Sequence, residues 1–422
     1  MNYRINDARW LTILAWCLVQ SNDVYHKSAA SGAESLLDSR AGQRSRYRWL
    51  RPLELMWVRR TIAITPNEGR LRALPGQRTM RAAPDTTLTD KCGLSVAQLE
   101  GYRQTGAYGA YRLAFRRWPQ LTRHGDGFTP DAACRQLAEW LSQQMTRDPV
   151  LVGGSENITR RSALRGAEDP YRFWEIRCPT YQRCPEDMLE AVDRLTLPRP
   201  YAEMVQLPEA HLLRGIIFGT DRGGRQRAAV ARRLEASQAA THLDLCRTLT
   251  DTAAPDSPLH MLHAFSRLAD AGMDVVHRLA SALHAENTLS ITEAAKLTEI
   301  EEACAELADA ADAWRHTPQT SLRHIETAYL FANSARSADP ATCLKAVVQH
   351  HEVHGGGIRW FGLRGDRLEA RAMQSSASSG YRFRLAPLYR LAVQCGVVHD
   401  VPPALMAGLT TDADALIDGE DA

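Results

Sequence analysis

The clearest shortage in this sequence is lysine, since only Lys27, Lys91, Lys296 and Lys345 occur among 422 residues. A phosphate-binding P-loop needs a lysine directly after glycine, and none of the four has glycine before it. Common restriction-type nucleases need an acid two residues before a lysine, and phospholipase-D-type sites need His-x-Lys. Neither pattern occurs here. These absences argue against P-loop ATPases, kinases and ordinary nucleases.

Other sequence patterns of enzymes and membrane proteins are missing too. There is no G-x-S-x-G elbow of an α/β-hydrolase. The cysteines are scattered, and the one close pair, Cys178 and Cys184, matches no common zinc spacing. The apolar run 10–19 is too short to span a bilayer, and no small-x-small cleavage site follows it promptly. We therefore expect a cytoplasmic protein without cofactor, metal or membrane contact.

What is present is a globular composition with an uneven charge. Hydrophobic residues make up 44% of the chain and charged residues 24%, which is typical of a soluble protein of two or three domains. Residues 1–235 carry a net charge of +11 and residues 236–422 a net charge of −9. This asymmetry favours a polyanion-binding module fused to a protein-contact module. Packing of the two halves on each other by charge is the alternative.

Periodicity predicts a mainly α protein with several helical domains, winged-helix-like units and a short C-terminal β-hairpin. Tyr108, Tyr111, Phe115 and Trp118 fall on one helix face, which indicates a buried core more often than a ligand platform. Glycines at 355–357 end a helix, and a hairpin is predicted around the turn 364–367. The predicted segments are a basic N-terminal helical or winged-helix-like domain (1–149), an irregular connector (150–224), an acidic helical bundle (225–318), a C-terminal winged-helix-like unit (319–400) and a disordered acidic tail (401–422).

Clusters of arginine beside aromatic residues are the positive functional signal. Arginine forks match phosphate geometry and stack on bases, so such clusters suit nucleic-acid binding. They also arise as solvated faces and as partners of acids. A further cluster of arginines lies near the middle of the chain, between Arg222 and Arg233. The predicted nucleic-acid-binding residues are Arg44, Arg46, Arg48, Arg51, Arg59, Arg60, Arg112, Arg116, Arg117, Arg359, Arg364, Arg367 and Arg371.

A histidine cluster gives an alternative chemistry. His350 and His354 lie one helical turn apart, a spacing that can bind zinc. The metalloprotease pattern requires glutamate directly after the first ligand, where this chain has His351. Histidines at a helix C-terminus also interact favourably with the helix dipole or with a polyanion. A metal-dependent hydrolase therefore remains one of three hypotheses.

Two stretches carry a resemblance. Gly127 to Asp131, with the sequence Gly-Phe-Thr-Pro-Asp, opens a helix, and residues 354–368 contain His-Gly-Gly-Gly and Arg-Trp-Phe-Gly-Leu. In these two stretches the chain loosely resembles uncharacterised helical, winged-helix-containing proteins encoded in bacterial antiphage-defence and DNA-modification gene clusters. The resemblance implies a non-catalytic subunit acting beside an ATPase or nuclease encoded elsewhere.

The leading hypothesis is a non-catalytic nucleic-acid-binding accessory or scaffold subunit of a bacterial multi-protein system. Its partners would be nucleic acid, with DNA favoured, and other protein subunits of the same system. The alternatives are a protein-interaction scaffold that binds no nucleic acid, and the metal-dependent hydrolase built on His350 and His354.

Overall fold

A computed structural model describes residues 5, 7–28, 40–64, 75–84, 86–144, 169–176, 206–239, 241–251, 253, 258–317, 325–354, 361–370, 385–400, 402 and 405. These residues form a mainly helical structure with a small three-stranded antiparallel sheet. The mainly α class and the C-terminal hairpin are confirmed, while the winged-helix-like units stay predictions. The Cys178–Cys184 pair and, apart from Pro402 and Leu405, the acidic tail lie outside the described residues.

The chain divides into two compact units. The first contains Met1–Arg232 and Phe383–Asp400, and the second contains Arg233–Arg382 and Val401–Ala422. This division differs from the predicted boundaries in two ways. The C-terminal end of the predicted winged-helix-like unit, residues 383–400, belongs to the first unit and not to the unit that contains the hairpin. The predicted acidic bundle and the hairpin share one unit, because a strand from the acidic segment joins the sheet.

The helices of the first unit are mostly amphipathic. In chain order they are α1 (Arg9–Ser28), α2 (Arg40–Ile64), α3 (Gln77–Arg81), α4 (Val96–Thr105), α5 (Ala107–Arg117), α6 (Ala132–Gln144), α7 (Pro170–Ile176), α8 (Ala210–Ile217), α9 (Arg222–Glu235), whose end belongs to the second unit, and, after that unit's elements, α16 (Ala386–Gln394).

The core of the first unit forms where α1 packs against α2 and α6. Trp16 of α1 and Trp57 of α2 are both buried and meet edge to face, with ring centroids 6.0 Å apart. Such aromatic pairs add specific geometry to a large buried apolar area. Helix α2 begins at Arg40 and continues through Pro52.

A buried polar cluster joins distant parts of the first unit. Arg9 Nε lies 2.5 Å from Glu209 Oε1, and both side chains are 0% exposed. The Thr12 hydroxyl donates to the same carboxylate oxygen at 3.2 Å. Asp7 Oδ1 accepts the Arg9 backbone N–H at 2.9 Å and the Gln394 amide at 3.0 Å. The cluster therefore holds α16 against the start of α1.

A capping box at the start of α4 and a glycine between α4 and α5 fix how these two helices follow each other. Ser95 caps α4 in a capping box with Gln98. Gly106 then separates the helices, and a Cβ there would collide with the Glu54 carboxylate and the Tyr102 ring. The predicted aromatic stripe of α5 is buried, which confirms its interpretation as core.

The second unit is a helical bundle with the sheet attached. Its elements are α10 (His242–Asp251), α11 (Pro258–Glu286), β1 (Thr288–Ser290), α12 (Ile291–Ala294), α13 (Thr298–His316), α14 (Ile325–Ala335), α15 (Pro340–His354), β2 (Phe361–Arg364) and β3 (Arg367–Ala370). Helix α13 packs along α11 and buries Ile300, Leu307 and Trp314. Strand β3 is central, and Leu368 faces Leu289 of β1 and Leu363 of β2.

Candidate nucleic-acid interface

Among the predicted arginines on α2, Arg46 and Arg51 bind other parts of the protein. Arg46 is only 6% exposed, and its Nη1 donates to Thr129 Oγ1 at 2.6 Å and to Asp126 Oδ2 at 3.3 Å. Its guanidinium also lies 5.4 Å from the ring of Tyr25. A phosphate cannot reach a side chain held in this way, so the prediction for Arg46 is corrected. The side chain of Arg44 lies outside the described residues.

Arg51 is similarly engaged. Its Nε donates to the Tyr171 hydroxyl at 2.6 Å, and its Nη1 donates to the Leu99 carbonyl at 3.1 Å. These bonds join α2 to α7 and α4, so Arg51 has a structural contact that the sequence did not indicate. Arg48, three residues earlier, is exposed. The two arginines of α2 therefore face different environments.

Arg59 and Arg60 occupy the C-terminal part of α2 and are half-buried. Arg59 Nη2 donates to the Pro84 carbonyl at 3.0 Å. This bond holds the segment before α4 against α2. The structure therefore places Arg59 at a packing contact rather than on a fully solvated face.

Helix α5 presents the best-defined positive face. Arg112 is half-exposed, and Leu113, Arg116 and Arg117 are exposed on the same side of the helix. Among the residues that the structure describes, no carboxylate forms an ion pair with these three arginines. Arg116 Nε donates to the Gly125 carbonyl at 3.2 Å, which leaves its Nη groups for an anion. Their charges are therefore available to a polyanion.

The loop after α5 adds a fourth exposed arginine, Arg123. The Thr122 hydroxyl donates to the Phe115 carbonyl at 2.6 Å and fixes the start of this loop. Asp126 Oδ1 accepts the N–H groups of Phe128 at 2.7 Å and Thr129 at 2.8 Å, which closes its end. The buried Arg46 binds the same Asp126 and so helps to position the loop.

Helix α9 carries a second positive face, formed by the exposed Arg222, Arg225 and Arg232. The helix has no acidic residue before its last position. Arg227, on the inner side, places its guanidinium 5.6 Å from the ring centre of Trp118, the residue that follows α5. This contact brings α9 next to the C-terminal end of α5.

We refer to these side chains together as the arginine surface. It comprises Arg112, Arg116, Arg117, Arg123, Arg222, Arg225 and Arg232. The first three are among the binding residues predicted from the sequence, whereas the α9 cluster was visible in the sequence but not predicted to bind. The signal that would have found the α9 face is its spacing of three and seven residues, which keeps these arginines on one side of a helix.

The second unit holds the hairpin arginines. Arg364 is 85% exposed, with its Nη1 3.9 Å from Glu369 Oε1, and Arg367 is also exposed. An ion pair at that distance on the surface contributes little. Arg359 and Arg371 lie outside the described residues. The hairpin therefore offers two described cations to solvent.

The buried carboxyl of Glu54 contacts the first turn of α5. Glu54 of α2 accepts the Tyr108 backbone N–H at 3.0 Å and the Tyr47 hydroxyl at 3.2 Å. Burial raises the pKa of Glu54 from its ordinary 4.5 to about 7, although these hydrogen bonds oppose the shift. The carboxyl meets the N-terminal end of α5, where the helix dipole favours negative charge. Glu54 thus fixes the helix that bears the arginines.

The histidine cluster packs against aromatic rings. The His350 ring lies 4.5 Å from that of Phe331, and the His351 ring lies 4.5 Å from that of Phe361. The side chain of His354 lies outside the described residues. Within the described ranges, no group of three or more His, Cys, Asp or Glu side chains is arranged to hold a metal ion.

No family model, curated protein or solved structure matches the chain. The resemblance to defence-associated helical proteins therefore stays a prediction. None of the described helices combines the length and the apolar character needed to cross a bilayer.

Proposed function

We propose that the protein is a non-catalytic, cytoplasmic nucleic-acid-binding subunit of a bacterial multi-protein system, possessing an arginine surface for the polyanion and further surfaces for protein subunits. The predicted resemblance suggests antiphage defence as the setting. DNA is the favoured polyanion, in keeping with the expectation from the sequence.

One observation carries this proposal: the exposed faces of α5 and α9 bear arginines without ion-pairing carboxylates among the described residues. Unpaired surface charge of one sign raises the local potential and attracts opposite charge. Guanidinium groups bind phosphate oxygens through several N–H donors at once. A row of such groups on two adjacent helices suits a ligand with repeated phosphates better than a single small anion.

The test is binding of the full chain to a short fluorescent DNA duplex, followed by anisotropy at several salt concentrations. Affinity should fall steeply between about 50 and about 200 mM salt, because each neutralised phosphate releases counterions. The variant Arg116→Gln/Arg117→Gln should weaken binding and lower the slope of log affinity against log salt by about 2.

A matched control removes the same charge elsewhere in the first unit. Arg81→Gln/Arg172→Gln takes away two exposed arginines outside the arginine surface. This control should bind with the wild-type slope. Equal weakening by both double variants, or salt-independent binding by the wild type, would contradict the proposal.

A second candidate function, protein scaffolding, rests on the acidic face of α13. Glu299, Glu302, Glu306 and Asp309 are exposed and share one side of this helix. Only Glu306 is paired across helices among the described residues of this face, with Arg267 at 2.8 Å. Such a face favours a basic partner protein.

This candidate is tested by purification from nuclease-treated lysate of the native host. A partner retained by the wild type and lost by Glu299→Gln/Glu302→Gln would support scaffolding. Retention of the partner by that variant, with loss after Arg116→Gln/Arg117→Gln, would assign the contact to the arginine surface instead.

A further inference from the structure

We infer that the arginine surface holds the phosphate backbone of a double-stranded nucleic acid and does not read its sequence. This inference rests on the proposed function and narrows its ligand from nucleic acid in general to a duplex bound through its two backbones.

The described part of the arginine surface has no exposed aromatic ring on which a base could stack. Proteins that bind single strands without sequence preference place bases on exposed aromatic rings. Here the aromatic residues beside the arginines are buried, with Tyr108, Tyr111 and Phe115 at 1% exposure or less. Trp118 is 9% exposed and has Arg227 over its ring. Among the described residues of the first unit, no Phe, Tyr or Trp side chain is classed as exposed. The surface therefore has cations without stacking platforms.

Two guanidinium groups of the arginine surface, those of Arg116 and Arg225, are bonded to the protein backbone. A side chain that reads a base edge must extend from its helix into a groove. Arg116 is folded back to the Gly125 carbonyl, and Arg225 Nη1 donates to the Thr220 carbonyl. Both guanidinium groups are thus anchored close to the protein surface with other N–H donors still free. An anchored fork suits a phosphate at the protein surface, which positions a duplex without reading it.

The exposed arginines of α9 are spaced along the helix axis. From Arg222 to Arg232 the exposed cations of α9 extend over about 15 Å at the rise of an α-helix. Duplex DNA carries one charge for about every 1.7 Å of its axis, so such a row faces several phosphates at once. Helix α5 supplies a second, shorter row beside Trp118. Two rows of cations on a rigid support fit the fixed phosphate positions of a duplex better than a flexible strand.

The experiment is a competition assay with the full chain and a labelled DNA duplex. The competitors are two unlabelled duplexes of unrelated sequence, the single strand of one of them, and a double-stranded RNA. We expect the two DNA duplexes to compete within about twofold of each other, and the single strand to compete at least about tenfold more weakly. Arg222→Gln/Arg225→Gln should weaken binding to both duplexes by the same factor.

The outcomes separate this inference from the function on which it rests. A single strand that competes as well as the duplex would overturn the inference and leave nucleic-acid binding intact. A difference of more than about tenfold between the two DNA sequences would also overturn it, because a difference of that size requires base-specific contacts. Competition by duplex RNA equal to DNA supports backbone recognition, while failure of every nucleic acid to bind refutes both proposals.

Discussion

Glu209→Gln tests the buried ion pair that joins α1 to the segment before α8. Arg9 and Glu209 are both 0% exposed, with 2.5 Å between Nε and Oε1. Among the residues that the structure describes, none forms a hydrogen bond with Arg9 Nη1 or Nη2, so Glu209 is the closest compensation for this charge. Removing one partner of a buried pair leaves an uncompensated charge, which typically costs about 3–5 kcal/mol. For a unit of this size, the melting temperature would fall by about 6–20 °C.

The double substitution Arg9→Met/Glu209→Leu tests whether the two charges or the packing around them determine the stability. Replacing both charges with apolar side chains of similar volume is often neutral or stabilising. We therefore expect the double variant to be within about 1 kcal/mol of the wild type, or more stable. Asp7 keeps the Gln394 amide as a donor in this variant.

Urea unfolding followed by tryptophan fluorescence is the assay. Seven of the nine tryptophans belong to the first unit, so the signal reports mainly on it. A loss of less than about 1 kcal/mol for Glu209→Gln would show that the buried charge is not uncompensated, and would refute the reasoning. A double variant as unstable as the single one would show that packing, not charge, sets the cost.

Three further predictions concern α5 and its surroundings. Because the pKa of Glu54 is raised by burial to about 7, the folded state binds a proton between about pH 4.5 and 7 that the unfolded state has released. Stability should therefore fall by about 3 kcal/mol as pH rises through this window, relative to a Glu54→Gln variant measured alongside; parallel stability curves would contradict this. Gly106→Ala should lower the free energy of unfolding by about 1–3 kcal/mol because its Cβ meets Glu54 and Tyr102. Its control Gly101→Ala, in open space on α4, should raise it by up to about 1 kcal/mol in the same urea titration. Arg117→Gln should lower the salt slope of DNA binding by about 1 without changing the melting temperature, and a thermal shift equal to that of Gly106→Ala would count against a surface role.

Features determined by neighbouring residues were predictable from the sequence. The Ser290–Glu293 capping box depends only on two residues three apart, a spacing that can be seen in the sequence itself. The stripe from Tyr108 to Trp118 follows from helical periodicity alone. Strand β1 was not predicted, because three residues hold little pattern and its partner β3 lies far along the chain.

The binding residues were only partly predictable for a related reason. Arg46 and Arg48 are two residues apart, yet one is buried and the other is exposed. An arginine is recognised as buried only through partners such as Asp126 and Thr129, which are distant in sequence. The exposed face of α9 needed the opposite information, namely that no acidic side chain among the described residues forms an ion pair with it. Composition alone does not distinguish these two cases.

The first unit is made of two separate stretches of chain, with residues 233–382 between them. During synthesis the ribosome therefore releases Arg9 and Glu209 long before Gln394, which completes their polar cluster. The helical bundle of the second unit can assemble before the final helix of the first unit has been synthesised. A nascent chain that stops before residue 386 would lack α16, so its N-terminal helices would expose sites that chaperones and proteases recognise.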